Sequence, residues 1–322
     1  MIRWGIIGCG DVCEVKSGPA FQKADRSSLV AVMRRNRGLA EDFARRHGVP
    51  RVYDDVDALI RDADVDAIYI ATPPSSHQHL ALRVAAAGKP CLAEKPMAMN
   101  HAECLAMIEA FDKARVPLWV AFYRRALPRF RKVRELLGTT AIGRLTSIDI
   151  SVHQPLAAAP GWRVDPDVGG GLLLDLGSHC FDLVDFFAGP ITRATGYAAN
   201  RRGAFSTEDV AVAVFQSDEV LGSGGWNFNA ASAADAMTLA GENGEIRVPI
   251  FTDGDVELTV GGRRDVLTFR NPPHVHQPLI QTIVDELHGD GRCESTAESA
   301  ARTSWVLDRC LETFQKEKGR AT

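Results

Sequence analysis

With 322 residues, 45% of them hydrophobic and 24% charged, the chain has the make-up of an ordinary globular protein, and it is longer than one hydrophobic core usually organises, so two domains are expected. Its 37 Lys and Arg stand against 41 Asp and Glu, a formal net charge of −4, which argues against a nucleic-acid groove or a cationic membrane patch. No apolar run approaches the roughly 20 residues of a membrane span, and Met1-Ile2-Arg3-Trp4 runs straight into a strand without room for a cleavable leader, so a cytoplasmic protein is expected.

In chain order, residues 2–7, 29–33, 67–71, 90–93 and 118–121 are short runs, mostly apolar on both faces, as buried parallel strands are. Helical patterns separate them. Leu80, Val84 and Ala87 recur at i, i+4 and i+7, with Gly88 placed to end that helix at C′. Asn100 and Glu103 have capping-box spacing ahead of Cys104, Met107, Ile108 and Phe111. Repeated strand–helix units predict a parallel sheet with right-handed crossovers, assigned to an N-terminal domain over 1–122.

After Phe122 the pattern changes. A helix is expected over 128–138, a long strand over 145–153 and a helix over 171–188. Strand-like runs follow at 191–199, 210–216, 220–228, 236–240, 245–251, 256–260 and 266–269, with turns at Gly241-Glu242-Asn243-Gly244 and Gly261-Gly262. Helices over 278–289 and 296–316 close the chain, Leu307, Leu311 and Phe314 giving the last one a packing face. Consecutive strands joined by short turns predict an α+β domain over 123–322 with a large, open-faced, mostly antiparallel sheet. Helices on one side only would leave its other face apolar and exposed, so a homodimer or homotetramer is expected.

Chemistry-bearing residues cluster at strand ends, where open α/β sheets place their ligands. Gly8-Cys9-Gly10 follows the first strand, and Asp11 and Val12 carry the loop into a helix; the first glycine permits a tight turn and the second a close approach of main chain to a pyrophosphate. Cys13 holds the third glycine position, a departure expected to loosen the helix–strand contact. The other reading is a plain strand–helix turn. The second strand runs out in Val32-Met33-Arg34-Arg35-Asn36-Arg37, with no carboxylate for a ribose 2′-hydroxyl; Arg34 and Arg35 suit a 2′-phosphate, so NADP is expected, with NAD possible. A solvated basic helix start is the alternative. Thr72-Pro73-Pro74 makes a rigid turn, with His77 and His79 at the next helix start, and its backbone is a candidate cofactor contact.

Glu94-Lys95-Pro96 closes another strand. Lys95 there can donate to a substrate oxygen and stabilise charge developing on it; an exposed lysine paired with Glu94 is the competing reading. Asp175 and His179 stand at i and i+4, with Asp182 at i+7, on a segment otherwise rich in Leu, Val and Phe. A narrow polar stripe on a buried helix faces a cavity, a partner or satisfied polar groups. Histidine beside a carboxylate suits acid/base work near neutral pH, against which stands a purely structural hydrogen-bond network. Seven cysteines without a CxxC pair read as buried, reduced thiols. His153, His179, His274 and His276 lack metal-ligand spacing, so no metal is expected; His274-x-His276 reads as structural or as substrate rim.

The run Gly5-Ile6-Ile7-Gly8-Cys9-Gly10, the Glu94-Lys95-Pro96 turn and Gly169-Gly170-Gly171 leading to Asp175 and His179, with Trp162-Arg163 before it, together resemble the Gfo/Idh/MocA oxidoreductases over essentially the whole chain. The resemblance implies a Rossmann domain, a second α/β domain with a large open-faced sheet, and NAD(P)-dependent chemistry on a sugar-like alcohol or ketone. It implies that Lys95 and His179 handle protons, that Asp175 positions substrate and that Glu94-Lys95-Pro96 lies under the nicotinamide. Gly8, Gly10, Asp11, Val12, Arg34, Arg35, Thr72, Pro73 and His77 would belong to the cofactor site, as would Tyr123, Trp162 and Arg163. The expected substrate is a small molecule: a sugar, sugar derivative or cyclitol, with a trans-dihydrodiol also compatible. A non-catalytic nucleotide-binding regulator, or an enzyme with a trapped cofactor used for transient oxidation, are the rival readings.

Overall fold

The computed structural model describes residues 1–155 and 161–320, and the early strand runs build one parallel sheet. Its strands are β1 (Ile2–Ile7), β2 (Ser27–Met33), β3 (Arg51–Tyr53), β4 (Ala67–Ile70), β5 (Cys91–Ala93) and β6 (Leu118–Val120), in the spatial order β3-β2-β1-β4-β5-β6. β3 was not expected. It is three residues long and only half-buried, too short for any periodicity to show. Its place comes from pairing with β2 and from the Tyr53 hydroxyl, which donates to Asp62 at 2.8 Å.

The chain runs outward from β1 to β3 and then returns to β4 on the other side of β1, so the strand order reverses between β1 and β4. The carboxyl ends at such a switch point form a crevice. Helices α1 (Gly18–Lys23), α2 (Arg37–His47), α3 (Val56–Arg61), α4 (His77–Ala86) and α5 (His101–Ala114) make the connections. α5 starts as its sequence predicts: Asn100 Oδ1 accepts from Glu103 N at 3.0 Å, while Glu103 reaches back to Met99 N at 3.1 Å. Beneath β1 and β4 the rings of Trp4, Phe21 and Tyr69 pack in series, with centroids 4.8 and 5.2 Å apart.

The second sheet contains β7 (Leu145–His153), β8 (Ile191–Ala199), β9 (Val210–Ser217), β10 (Val220–Asn227), β11 (Ala234–Gly241), β12 (Gly244–Val248), β13 (Val256–Val260) and β14 (Arg263–Leu267). Their order is β14-β13-β12-β11-β7-β10-β9-β8, antiparallel throughout except for the parallel pair β7–β10. Helix α6 (Pro128–Gly138) precedes this sheet, and α7 (Ser178–Ala188) covers one face of it. Phe181 of α7 packs on Phe215 and Trp226, with centroids 5.8 and 5.3 Å away. Strand β9 alternates accordingly, Ala211, Ala213 and Phe215 buried, Val212 and Val214 exposed.

Three expected elements shift for local reasons. The run over 245–251 leaves the ladder at Val248, because the Asp235 carboxylate takes the N–H groups of Ile250, Phe251 and Thr252 at 2.8, 2.8 and 2.6 Å. The last strand lies earlier than 266–269, because Gly261 and Gly262 at φ 57° and 80° form a two-residue hairpin that pairs Val260 with Arg263. The helix over 171–188 opens with one wide π turn, Leu173–Gly177, before α7 begins.

Two compact units result, Met1–Leu127 with Asn271–Ala301, and Pro128–Arg270 with Arg302–Thr322, so a single cut after 122 does not describe them. The returning segment carries α8 (Gln277–His288) and the start of α9 (Ala297–Arg320). It is fastened along β6: Ser295 Oγ donates to Val120 O at 2.6 Å, Val120 N donates to Ser295 O at 3.2 Å, and Trp119 bridges Thr296. That contact covers a sheet edge whose backbone would otherwise lack partners. Among the described residues no helix is long and apolar enough to cross a membrane.

Candidate active site

In the first unit, β1 ends at Gly8, whose φ is +90°. A Cβ there would fall 2.6 Å from Thr72 Cγ2 and 3.2 Å from the Ala71 main chain, so the strand ends at the switch point meet as closely as they do only because residue 8 is glycine. Gly10 differs: an added Cβ would meet only Gly8 O, at 3.9 Å, and the space above it is open. Gly10 N donates to Gly8 O at 2.8 Å and Cys13 N to Gly10 O at 2.9 Å, wrapping the loop into the helical turn that Asp11 and Val12 begin. An open glycine face at a crossover strand end fits a pyrophosphate.

Cys13 does not pack as a third glycine would. Its buried side chain tucks beneath the loop, Sγ 3.9 Å from Gly8 O, and the helix opens as a wide π turn, Cys13–Ser17. The turn closes on Gly18, where a Cβ would fall 2.3 Å from Cys13 O. Burial pushes the Cys9 thiol up to about 11 and the Cys13 thiol higher still, so neither is a thiolate.

At the end of β2, Arg34 N donates to Tyr53 O at 3.2 Å and Arg34 Nη1 to Cys9 O at 3.3 Å, laying the guanidinium against the glycine loop. Arg35 is exposed beside it. Asn36 caps α2 by accepting from Leu39 N at 3.1 Å, and Arg37 pairs with Glu41 and Asp54.

The ends of β4, β5 and β6 bring Thr72, Pro73, Glu94, Lys95, Pro96 and Tyr123 to the same edge of the sheet. Ser76 Oγ donates to Thr72 Oγ1 at 2.6 Å or to Pro73 O at 2.8 Å, fixing that turn. His77 is fully buried and ringed by main-chain carbonyls: Thr72 O lies 2.7 Å from Nε2, and Pro96 O and Met97 O lie 3.1 and 3.3 Å from Nδ1. Burial holds its pKa below the ordinary histidine range, although these carbonyls and the charge of Glu94 oppose the shift. His79, two residues on, is exposed.

Glu94 is not a solvent-exposed partner for Lys95. Its buried carboxylate accepts from the Tyr69 hydroxyl and, at 3.1 Å, from Lys95 N; the Lys95–Pro96 peptide is cis. Next to it stands His276, 2% exposed, with Nδ1 3.8 Å from Glu94 Oε1 and its ring centroid 4.6 Å from that of Tyr123. Burial, reinforced by the positive charges of Lys16, Lys95 and Arg124, holds His276 down at about 3, so it is neutral and its contact with Glu94 is not an ion pair. Arg124 stacks 4.9 Å over Tyr123 and donates to its hydroxyl at 3.0 Å. His274, the other member of the pair, contacts Val15 O at 2.6 Å.

In the second unit, Trp162 and Arg163 come beside Asp175. The Arg163 guanidinium lies 5.0 Å over the Trp162 ring, with Nε 3.3 Å from Asp175 Oδ2. The glycine run makes this possible: a Cβ on Gly170 would fall 2.2 Å from Trp162 O, so a larger residue could not let the chain fold back there. Leu173 N donates to the buried Glu208 carboxylate at 2.7 Å, anchoring the π turn that carries Asp175. On α7, His179 is 4% exposed and Asp182 is buried with it. Asp185, a further carboxylate of this helix, is held by Arg302 through contacts of 2.6 and 2.9 Å, so it belongs to the packing. Phe251 presents an edge to the His179 ring, at 6.0 Å and 72°. It is fixed by the Asp235 carboxylate and by Arg129 Nη1, which donates to Thr252 O at 2.7 Å. Neither Asp235 nor Phe251 carried any signal in the sequence, since both act through a loop.

Among the described residues, no three His, Cys, Asp or Glu side chains gather in a way that could hold a metal ion. Residues 2–122 match the model of an oxidoreductase family with an NAD-binding Rossmann fold, and residues 130–247 match the GFO/IDH/MocA C-terminal domain. Over 314 residues the chain is 38% identical to Oxidoreductase P35 of Formosa agariphila, covering 95% of this chain and 97% of that one. Over 283 residues it is 29% identical to trans-1,2-dihydrobenzene-1,2-diol dehydrogenase of Xenopus laevis, covering 86% of this chain and 83% of that one. Levoglucosan dehydrogenase in complex with NADH shares the fold, with a TM-score of 0.87 at 21% identity over 98% of this chain and 97% of that one.

Proposed function

We propose that this chain, which belongs to the Gfo/Idh/MocA oxidoreductase family, is an NADP(H)-preferring dehydrogenase or reductase acting on a secondary alcohol or ketone of a ring-shaped, carbohydrate-like substrate. The bound nicotinamide supplies the hydride acceptor or donor. Gly8, Gly10, Asp11 and Val12 would hold the pyrophosphate; Arg34 and Arg35 would meet a ribose 2′-phosphate; Thr72, Pro73, Glu94, Lys95, Pro96 and Tyr123 would bed the nicotinamide half, with Trp162 and Arg163 at its substrate side. His179 takes the hydroxyl proton as the alcohol carbon loses hydride, and returns it in the reverse direction. Asp175 accepts hydrogen bonds from substrate hydroxyls, and Lys95 stabilises the charge developing on the reacting oxygen.

One observation carries the chemistry: His179 is enclosed on a helix whose neighbours are Leu, Val and Phe, one turn from Asp175, an arrangement with a desolvation cost that acid/base work explains. A cyclic trans-dihydrodiol is a second substrate reading. It is supported by the aromatic edge of Phe251 against His179 and by the likeness to the dihydrobenzenediol dehydrogenase of Xenopus laevis. The seven free cysteines, all buried, support a reducing compartment such as the cytoplasm. On the outer face of the second sheet, Tyr197, Val212, Val214 and Leu221 are 70%, 51%, 56% and 62% exposed, which supports a homodimer or homotetramer packed through that face.

Substrate-dependent NADPH oxidation and NADP⁺ reduction, screened over polyols, keto-sugars and trans-dihydrodiols, tests the reading. His179→Asn, which keeps size and polarity but exchanges no proton, is expected to lower kcat by roughly 10²–10⁴ while leaving cofactor binding intact. Turnover within about threefold of wild type removes His179 from the acid/base role. Tight nucleotide binding without turnover of any compound favours the regulatory rival.

A further inference from the structure

His77 stands where two strand-end turns must be kept apart and in register. β4 and β5 are neighbours, paired Ile70 to Ala93 at their carboxyl ends, and the chain leaves them through separate turns, Thr72-Pro73 and Glu94-Lys95-Pro96. The two prolines contribute no N–H to tie these turns to each other. One side chain fills the gap: the His77 ring, on the first residue of α4, lies 2.7 Å from Thr72 O on one side and 3.1 and 3.3 Å from Pro96 O and Met97 O on the other. As a neutral ring with a single N–H it donates to one turn and packs as a rigid spacer against the other. The ring is fully buried, so it offers no surface to a ligand. Ser76, the preceding residue, grips the first turn through Thr72 Oγ1 and Pro73 O, so the bridge has a fixed footing.

We propose that His77 is a positioning residue, which sets the spacing between the Thr72-Pro73 turn and the Glu94-Lys95-Pro96 turn, and through it the placement of Lys95 and of the nicotinamide bed, without touching cofactor or substrate. This rests on the dinucleotide reading of the first unit. Gly8, Gly10 and Arg34, assigned to the rest of the dinucleotide, make none of the three His77 contacts. Gly8 abuts the Thr72 side chain, but the His77 contacts are to main-chain carbonyls of the two turns, so the larger effect of losing them falls at the nicotinamide end.

The test compares wild type with His77→Gln, which keeps an N–H donor but not the rigid ring, and His77→Phe, which fills the space and donates to neither turn. For each protein, dissociation constants are measured by fluorescence or calorimetry for two probes. One is NADPH or NADH, whichever binds wild type more tightly; the other is its nicotinamide-free counterpart, the corresponding ADP-ribose. The expected result is a weakening of about tenfold or more for the intact cofactor in His77→Phe, an intermediate loss in His77→Gln, and constants for the ADP-ribose within about twofold of wild type. A merely structural role would lower Tm and leave the ratio of the two constants unchanged, and an unchanged ratio overturns the proposal. Where His77→Phe does not fold, the ratio in His77→Gln decides. Wild-type protein that binds neither probe overturns the dinucleotide reading and this proposal with it, whereas wild-type binding with an unaltered ratio in the variants overturns the proposal alone.

Discussion

His276 makes the stability of the first unit depend on pH over a defined window. Buried against Tyr123 and close to Lys16, Lys95 and Arg124, it keeps a pKa of about 3 where the unfolded chain has 6.5. The folded value is depressed, so between these limits the unfolded chain binds a proton that the folded chain refuses, and stability falls as pH drops through the window. From about pH 7 to about pH 5 the unfolded imidazole goes from mostly neutral to almost fully charged, a change worth roughly 2 kcal/mol against a folded ring still neutral at both. Glu94, 3.8 Å away, favours the cation, but three positive charges and burial outweigh it. His276→Gln removes this titration. The variant loses the packing on Tyr123 and is expected to be less stable at neutral pH, but its stability should fall less on acidification. Urea unfolding followed by the fluorescence of Trp4 and Trp119, both buried in this unit, measures the fall for each protein. Carboxylates common to both cancel in the comparison, leaving about 2 kcal/mol of extra acid sensitivity in wild type. Equal falls in the two proteins refute a neutral, buried His276.

NADPH is expected to bind about tenfold or more tighter than NADH in fluorescence titrations, since Arg34 and Arg35 offer charge-assisted contacts and no carboxylate stands at the end of β2; Arg34→Ala should narrow the gap, and NADH binding equal to or tighter than NADPH rejects the preference. Light scattering at micromolar concentration is expected to find a dimer or larger, and Val212→Asp on the exposed sheet face to shift it toward the protomer. A wild-type species of 35.0 kDa alone rules out the oligomer.

Much of the fold could be read because strand ends announce themselves. Buried parallel strands are continuous apolar runs, so the residues just past them are found by counting: Gly8, Arg34, Thr72 and Glu94 all lie within two residues of a strand terminus. The helix caps at Asn100 and Gly88 were equally local. What escaped depended on contacts between distant segments. β3 has no pattern of its own and exists through β2. The return of Asn271–Ala301 to the first unit is decided by pairing with β6 and by ion pairs from Arg26 to Asp285 and Asp290, none of which leaves a periodic trace. The same return turns His276 from a loop histidine into a buried one.

The acidic residues near the site show where such reading stops. Asp175, Asp182 and Asp185 occupy one helical segment with His179, and helical spacing alone cannot tell a catalytic carboxylate from a structural one. The difference lies in the partner. Asp185 is taken by both nitrogens of an arginine fork 117 residues away, a bidentate pair that leaves it little further capacity. Glu208 is spent on the N–H of Leu173, 35 residues away, and Glu94 on the Tyr69 hydroxyl 25 residues away. Each of these carboxylates is costly to bury unless satisfied, so each constrains the piece of chain that satisfies it. Asp175 is met differently: its cation, Arg163, comes from the same short fold-back that the glycine run permits, with Nε 3.3 Å from Oδ2. A carboxylate met by a guanidinium at 3.3 Å gives up that contact for another donor at lower cost than one gripped by a two-point fork at 2.6 and 2.9 Å.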